Sequence, residues 1–317
     1  MDKVLIVVVF LMALVACAIE PESSTREVWD DQLFGRWDVT VKTPNGNFPS
    51  WWEIYRQDEV IVGRFVGRLG SSRPIDRLEV IGDQFKFSLP IQYEEHKTDL
   101  MFSGRLGQGR LKGTTNAENG SILEWEAFRA PDLEMPSDPR WGEPIQLFNG
   151  TNLRGWKARH LEAPNNWRAK DGVLANTDKG TDLMTDDVFQ DFKLHTEFKY
   201  PQGSNSGVYL RGRYEVQVQD DFGKEPSNLN IGAVYGFLTP TKNAAKKADE
   251  WQSLDITLLG RRITIELNGE MIVEKQEIPG ITGGALNSHE GEAGPILLQG
   301  DHGPVYFRNL MLTPVKQ

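Results

Sequence analysis

The chain has 317 residues, with 39% hydrophobic and 25% charged side chains, which is typical of a folded globular protein. Its formal net charge is −10 and the sequence has no basic cluster, which argues against a nucleic-acid partner and against a polybasic membrane contact. The single cysteine excludes an internal disulfide.

The N-terminus has the pattern of a secretory signal. Lys3 is followed by an apolar stretch from Val4 to Val15, which is shorter than the roughly 20 apolar residues that span a bilayer. The run Leu-Val-Ala-Cys that ends at Cys17 matches the bacterial lipobox. We therefore expect residues 1–16 to be removed and Cys17 to be acylated, with residues 17–32 as a tether. This predicts a lipid-anchored lipoprotein of the bacterial cell envelope, facing the periplasm or attached to the outer membrane.

Residues 33–130 predict an antiparallel β-barrel. Short alternating runs such as Trp37 to Val41 are separated by turn signals, and about eight strands at this spacing are typical of an up-and-down barrel. Gly35-Arg36-Trp37 at the start and Arg129 at the end resemble the corresponding residues of lipocalin-like barrels. We interpret Trp37 and Arg129 as packing residues that close the barrel rather than as ligand contacts.

A proline-rich, acidic segment, residues 131–141, predicts a semi-rigid linker to a second domain at residues 142–317. This domain is also rich in strand patterns, and Asn268-Gly269 between two apolar runs predicts a type I′ hairpin. Only Asn243 to Trp251 has a helical pattern. We expect an all-β chain in which the second domain is a two-sheet jelly roll.

One polar strand in the second domain is a candidate binding surface. If Tyr209 to Gln219 form a single strand, alternate side chains share a face, opposite a packed face of Tyr214, Val216 and Val218. Donors and acceptors in such a row on a concave sheet suit sugar hydroxyls, although an ordinary solvated sheet face has the same pattern. The residues of this predicted polar row are Arg211, Arg213, Glu215, Gln217 and Gln219.

A second polar cluster lies between two apolar runs near the C-terminus and comprises Gln299-Gly300-Asp301-His302-Gly303. The ordinary pKa range of histidine suits proton transfer near neutral pH, so His302 is a candidate for acid–base chemistry. The alternative is a structural or surface histidine.

Several motifs of the second domain together resemble the 3-keto-disaccharide hydrolase family. They are Leu147 to Trp156, Asn205 to Gln217, Gly294 to Gly303, and Phe307-Arg308-Asn309. The resemblance implies a concanavalin A-like jelly-roll fold over residues 142–317. It also implies cleavage of glycosides whose C3 hydroxyl has already been oxidised to a ketone. The ketone acidifies the C2 hydrogen, so a base can remove it and the anomeric substituent can leave without an oxocarbenium ion.

On this resemblance, the expected catalytic residues are His302, Glu215 and Arg211. Either Glu215 or His302 is the base, with His302 preferred, and Arg211 clamps the enolate or a hydroxyl. A divalent ion held by Glu215, Asp220 or His302 is kept as an alternative, with Asp220 as the additional ligand, although no spacing here is a recognised metal motif. The expected sugar-binding residues are Asn205, Tyr209, Arg213, Gln217 and Gln299.

These observations predict a glycoside hydrolase or lyase that acts on 3-keto-disaccharides and related 3-keto-glycosides. Gln217 stands where jelly-roll endoglucanases have an ionisable carboxylate, which argues against ordinary glucanase chemistry. The alternatives are a non-catalytic envelope glycan-binding lipoprotein, and a structural protein whose barrel docks a partner in a sugar-processing complex.

Overall fold

The computed structural model describes residues 32–58, 60–92, 99–117 and 119–316. All 22 elements of these ranges are β-strands, arranged in three sheets, which confirms the all-β prediction. Cys17, the predicted signal peptide and nearly all of the predicted tether lie outside the described residues. Within the described ranges, no helix is both long and apolar enough to cross a bilayer.

The first sheet is a nearly closed barrel of nine antiparallel strands in the order β4-β3-β2-β1-β9-β8-β7-β6-β5. Its edge strands β4 and β5 follow each other in the chain with only Ile75 between them, so the sheet must curl to bring its two edges together. The strands are β1 (Gly35–Lys42), β2 (Phe48–Gln57), β3 (Val60–Val66), β4 (Arg73–Pro74), β5 (Asp76–Ile81), β6 (Gln84–Leu89), β7 (Leu100–Arg105), β8 (Arg110–Asn116) and β9 (Ile122–Arg129).

Aromatic side chains fill the barrel interior. Trp52 packs edge-on against Trp125 with ring centroids 5.1 Å apart, and Phe87 stacks on Phe102 at 5.3 Å. At the closed end, Trp37 is fully buried and the Arg129 guanidinium lies 4.1 Å from the centre of its ring. This arrangement confirms the interpretation of Trp37 and Arg129 as packing residues.

The remaining strands form two sheets of a jelly-roll sandwich. The larger sheet has the order β12-β13-β22-β15-β18-β19-β20, with β10 also paired to β22, and the smaller sheet has the order β11-β14-β21-β16-β17. The strands are β10 (Ile145–Gln146), β11 (Trp156–Ala158), β12 (Trp167–Lys170), β13 (Val173–Asn176), β14 (Leu183–Thr185), β15 (Phe192–Lys199), β16 (Asn205–Leu210), β17 (Tyr214–Gln219), β18 (Gln252–Leu259), β19 (Arg262–Leu267), β20 (Glu270–Glu277), β21 (Leu297–Leu298) and β22 (Val305–Pro314).

Two local predictions for the sandwich have opposite outcomes. Asn268 and Gly269 both have positive φ and join β19 to β20, which confirms the type I′ hairpin. The prediction of a helix at Asn243 to Trp251 is wrong, because this segment contains no helix. Asn243 accepts a bond from the backbone of Ala245, and Asp249 has a positive φ of 66°, so the chain makes turns there instead.

The barrel packs directly on the sandwich. Trp51 of β2 is fully buried and meets the Phe237 ring at 5.5 Å, and Gly280 lies so close to the Trp51 indole that a Cβ there would overlap it. Thr40 and Ser288 exchange a hydrogen bond of 2.7 Å between their hydroxyls. Trp51 thus belongs to the hydrophobic core of the sandwich rather than to that of its own sheet.

Candidate functional site

The segment from Tyr209 to Gln219 is a hairpin and not the predicted single strand. Strands β16 and β17 pair antiparallel, and their last pair is Leu210 with Tyr214. The turn between them contains Arg211 and Gly212, which have positive φ values of 52° and 63°. These left-handed conformations reverse the chain, so the turn residues do not continue the polar row of β17.

Arg211 is therefore placed away from Glu215, which corrects its predicted role as an enolate clamp. Its side chain is fully buried and donates to the Asp191 carboxylate (2.9 Å) and to the Gly260 carbonyl (2.8 Å). Its guanidinium also lies over the ring of Tyr214, at 5.8 Å from the centroid. Because neighbouring residues of a strand point to opposite faces, Arg211 lies on the side of β17 that Glu215 does not occupy.

Arg213 is likewise a structural residue of the turn, contrary to its predicted role in sugar binding. It is only 2% exposed and donates to the Asn287 side chain (2.9 Å) and to the Glu292 carbonyl (2.8 Å). These bonds hold the segment that leads from β20 to β21.

The hairpin brings Glu215 and Tyr209 together, which the predicted single strand would have kept six residues apart. The two residues are opposite partners on β17 and β16, and the Tyr209 hydroxyl lies 2.9 Å from a Glu215 carboxylate oxygen. The Glu215 carboxylate lies across Gly207, where a Cβ would overlap it. Glu215 is 4% exposed, and burial raises the pKa of its carboxyl to about 8.

The hydrogen bonds of Tyr209 indicate where the proton of this pair resides. The hydroxyl also lies 3.0 Å from the Gly283 carbonyl oxygen, so one hydroxyl hydrogen faces two acceptors. If Glu215 is protonated, it donates to the Tyr209 oxygen while Tyr209 donates to Gly283, and both bonds are made. Burial is the largest cause of the raised pKa of Glu215 and favours a neutral carboxylic acid near pH 7, whereas a bond that Tyr209 donates to the carboxylate lowers this pKa.

His302 belongs to the same site. It lies in the loop between β21 and β22, and its Nδ1 is hydrogen-bonded to the adjacent Asp301 carboxylate. This bond raises the pKa of His302, and the charges of Glu215 and Asp182 raise it further. About half of the imidazole side chain is exposed, so its other nitrogen can meet a ligand.

Two residues of the site were missed by the sequence analysis. Asp182, just before β14, accepts bonds from the Gly300 backbone N–H (2.9 Å) and from Arg159 (3.1 Å), and burial raises its pKa. Arg159 also donates to the carbonyls of Gly284 (2.7 Å) and Ala285 (3.0 Å). Neither residue lies in a motif, and only the order of strands β14-β21-β16-β17 brings Asp182 near Glu215.

The predicted sugar-binding amides differ in their availability. Gln217 is 3% exposed, its Oε1 accepts from the Val218 N–H and its Nε2 donates to the Leu229 carbonyl, so it supports the fold. By contrast, the Asn205 Oδ1 and the Gln299 Oε1 have no hydrogen-bond donor in the described part of the protein. Both oxygens are themselves buried, so a hydroxyl group reaches them only if the surrounding side chains move.

The structure does not bring Asp220 into a metal site. Its carboxylate accepts the Gly203 backbone N–H at 2.8 Å, which closes the loop between β15 and β16. Within the described ranges, no group of three or more histidine, cysteine, aspartate or glutamate side chains is arranged to hold a metal ion.

Comparisons with known proteins find a family match that covers the sandwich. Residues 143–313 match the model of the 3-keto-alpha-glucoside-1,2-lyase-like domain family. A 3-keto-disaccharide hydrolase of Bacteroides thetaiotaomicron is 22% identical over 212 residues, which cover 54% of this chain and 72% of the relative.

Solved structures with a similar fold were also found. One, from Parabacteroides distasonis and described as a candidate glycosyl hydrolase, is 28% identical with a TM-score of 0.46, covering 56% of this chain and 92% of that one. Another is the non-specific endo-beta-1,3(4)-glucanase SCLam, 10% identical with a TM-score of 0.35, covering 59% of this chain and 94% of that one. Since the family model matches more than half of the chain, the protein belongs to the 3-keto-disaccharide hydrolase family.

Proposed function

We propose that this protein cleaves 3-keto-glycosides, 3-keto-disaccharides in particular, by removing the C2 proton and eliminating the anomeric substituent. The observation that carries the proposal is a buried carboxylic acid, Glu215, in one site with a half-exposed histidine that is oriented by a carboxylate. An elimination of this kind needs one base for the C2 hydrogen and one acid for the leaving oxygen.

We assign the base to His302 and the acid to Glu215. His302 takes the C2 proton, and the electrons of the C–H bond form an enolate with the C3 ketone. The enolate then collapses to a C1–C2 double bond and restores the ketone, while the C1–O bond breaks and Glu215 protonates the departing oxygen. Water then adds to C1 with Glu215 as base, and the histidine returns a proton to C2, which gives net hydrolysis.

The surrounding residues support this division of roles. Asp301 binds the Nδ1 side of His302, which orients the ring and strengthens the base, as a carboxylate does in a catalytic triad. Asp182 lies close enough to Tyr209 for its charge to raise the pKa of the hydroxyl. Arg159 forms an ion pair with Asp182 and compensates this charge.

The test compares two histidines that each pair with an aspartate. His302→Ala and Glu215→Gln should reduce turnover of a 3-keto-disaccharide by about 10²–10⁴-fold, the usual contribution of a general acid or base. The matched control is His195→Ala, because His195 pairs with Asp255 at 2.7 Å on the larger sheet, outside the site. Equal activity of the His302 and His195 variants would overturn the assignment.

A second candidate function is non-catalytic glycan binding at the same site, which the half-exposed side chains of His302 and Asp301 favour because they can bind sugar hydroxyls. Calorimetry with an unoxidised disaccharide distinguishes the two. Binding of the unoxidised sugar without turnover of its 3-keto form would support the glycan-binding function.

We further propose that the protein is a lipoprotein anchored through Cys17 to the cell envelope. The support is the lipobox-like sequence at Leu14 to Cys17. Metabolic labelling with a fatty acid should mark the natural chain and not its Cys17→Ser variant. Labelling of both, or of neither, would contradict the anchor.

A further inference from the structure

One loop of the barrel contacts Gly283 and Gly284, and the Gly283 carbonyl bonds to Tyr209 of the candidate site. This loop, residues 67–72, joins β3 to β4 and is called the barrel loop below. The Gly284 backbone N–H donates to the Arg68 carbonyl at 2.9 Å. Gly283 packs so tightly on the backbone of Gly70 that a Cβ at Gly283 would overlap it.

The segment that the barrel loop contacts also accepts hydrogen bonds from two residues of the candidate site. The Gly283 carbonyl accepts the Tyr209 hydroxyl at 3.0 Å, and the carbonyls of Gly284 and Ala285 accept the Arg159 guanidinium at 2.7 and 3.0 Å. Tyr209 and Arg159 are in turn the partners of Glu215 and Asp182. Residues 283–285 therefore link the barrel to both carboxyl groups of the site.

We propose that the barrel loop is a positioning element of the active site, which fixes the Gly283 carbonyl and thereby directs the hydroxyl hydrogen of Tyr209 away from Glu215. The barrel and the sandwich thus make one catalytic unit. The consequence for catalysis rests on the proposed function, whereas the protonation of Glu215 can be measured in the protein without substrate.

The physical reason is a competition for the single hydroxyl hydrogen of Tyr209. When Tyr209 donates to Gly283, it cannot donate to Glu215, so an ionised Glu215 loses its main protein donor. If the Gly283 carbonyl moves away, Tyr209 turns its hydrogen to the carboxylate and stabilises the ionised form, which lowers the pKa of Glu215. The charged groups that also act on the pKa of Glu215 are His302, Asp301 and Asp182. Asp182 bonds to Gly300 and Arg159, and His302 and Asp301 bond to each other, so these bonds do not involve the barrel loop.

The chain offers a matched pair of glycines for the test. Gly283→Ala has no positive φ to oppose it, and its methyl group would overlap Gly70 of the barrel loop. Gly67→Ala lies in the barrel loop itself, also at an ordinary φ, and its nearest neighbours are at 3.5 Å, a normal van der Waals distance. The first substitution disturbs the contact between loop and site, whereas the second changes only the loop.

The readout is the titration of the Glu215 carboxyl in the full chain without substrate, followed by infrared difference spectroscopy against the same protein carrying Glu215→Gln. We expect Gly283→Ala to lower the midpoint of this titration by at least one pH unit, and Gly67→Ala to leave it unchanged. An unchanged midpoint in a folded Gly283→Ala protein, or an equal shift in both variants, would overturn the proposal.

If Gly283→Ala does not fold, deletion of Leu69 provides the second variant. This side chain is 59% exposed, so we expect its deletion to leave the core intact and to shorten the loop that contacts Gly283 and Gly284. The same shift is expected, and its absence overturns the proposal. Because the titration needs no turnover, it decides the role of the barrel loop even if the protein cleaves no keto-glycoside.

Discussion

Tyr209 and Glu215 face each other across β16 and β17, with the Tyr209 hydroxyl 2.9 Å from the Glu215 carboxylate. The same hydroxyl meets the Gly283 carbonyl at 3.0 Å, so the pair is fully hydrogen-bonded only when Glu215 carries a proton. A buried acid in this state can protonate a leaving group at neutral pH, which an ordinary surface glutamate cannot do.

The first prediction concerns the pH dependence of kcat/KM on a 3-keto-glycoside. The rate should rise as His302 loses its proton and fall as Glu215 ionises at about pH 8. Asp301→Asn removes the bond that raises the pKa of His302, so the rising limb should move to lower pH and the falling limb should stay. A rising limb that does not move would show that Asp301 does not set the basicity of His302.

The second prediction concerns stability. Glu215 keeps its proton in the folded protein up to about pH 8, whereas in the unfolded chain it ionises near its ordinary value of 4.5. Folding therefore binds a proton between these values, and the contribution of Glu215 to the free energy of unfolding falls as the pH rises through this window. Because the two pKa values differ by about 3.5 and each unit corresponds to about 1.4 kcal/mol, Glu215→Gln should stabilise the protein at pH 9 by about 5 kcal/mol, while it has little effect at pH 4.

Urea unfolding at the two pH values measures this difference. Glu225→Gln is the control, since this glutamate is exposed and should change the free energy of unfolding by less than about 0.5 kcal/mol at either pH. A Glu215→Gln protein that is less stable than the natural one at pH 9 would contradict a proton on Glu215.

The third prediction is that Arg211 stabilises the fold and takes no part in the reaction. Arg211→Ala removes the cation that pairs with Asp191 and the bonds to the Gln190 and Gly260 carbonyls, which should cost about 3 kcal/mol of unfolding free energy. The kcat of the folded fraction should remain within about threefold of the natural value. The control is the exposed Arg154→Ala, which should change neither quantity. A stable Arg211→Ala protein with a large loss of kcat would restore Arg211 as a catalytic residue.

The fourth prediction concerns Gly207, which lies against the Glu215 carboxylate. Gly207 has no positive φ, so alanine suits its backbone, but the new methyl group would displace the Glu215 carboxylate. A shift of about 1 Å in a reacting group can lower kcat by about 10²-fold. Gly207→Ala should therefore lose activity far more than Gly67→Ala, whose methyl group meets only ordinary contacts. Full activity of Gly207→Ala would mean that the position of Glu215 does not matter.

Local patterns in the sequence predicted those features that neighbouring residues determine. The Asn268-Gly269 hairpin, the packing of Arg129 on Trp37, and the shared face of Glu215 and Gln217 on β17 each follow from a few consecutive residues or from strand alternation.

The sequence could not predict features that depend on chain reversal or on the order of strands. Leu-Arg-Gly-Arg-Tyr has no standard turn signal, so the reversal at Arg211 and Gly212 was missed, and Arg211 and Arg213 were placed on the wrong surface. Asp182 and Arg159 reach the site only because β14 and β21 lie beside β16. The contact of the barrel loop with Gly283 requires the packing of the two units, which no local pattern encodes.

The most direct test of the central claim is nuclear magnetic resonance of the reaction in deuterated water, with a 3-keto-disaccharide and its unoxidised parent as substrates. The protein should cleave only the keto sugar, with deuterium entering at C2 of the product, and Glu215→Gln should slow the cleavage by about 10²–10⁴-fold. Cleavage of the unoxidised parent, or cleavage of the keto sugar with no deuterium at C2, would contradict proton removal at C2 as the route.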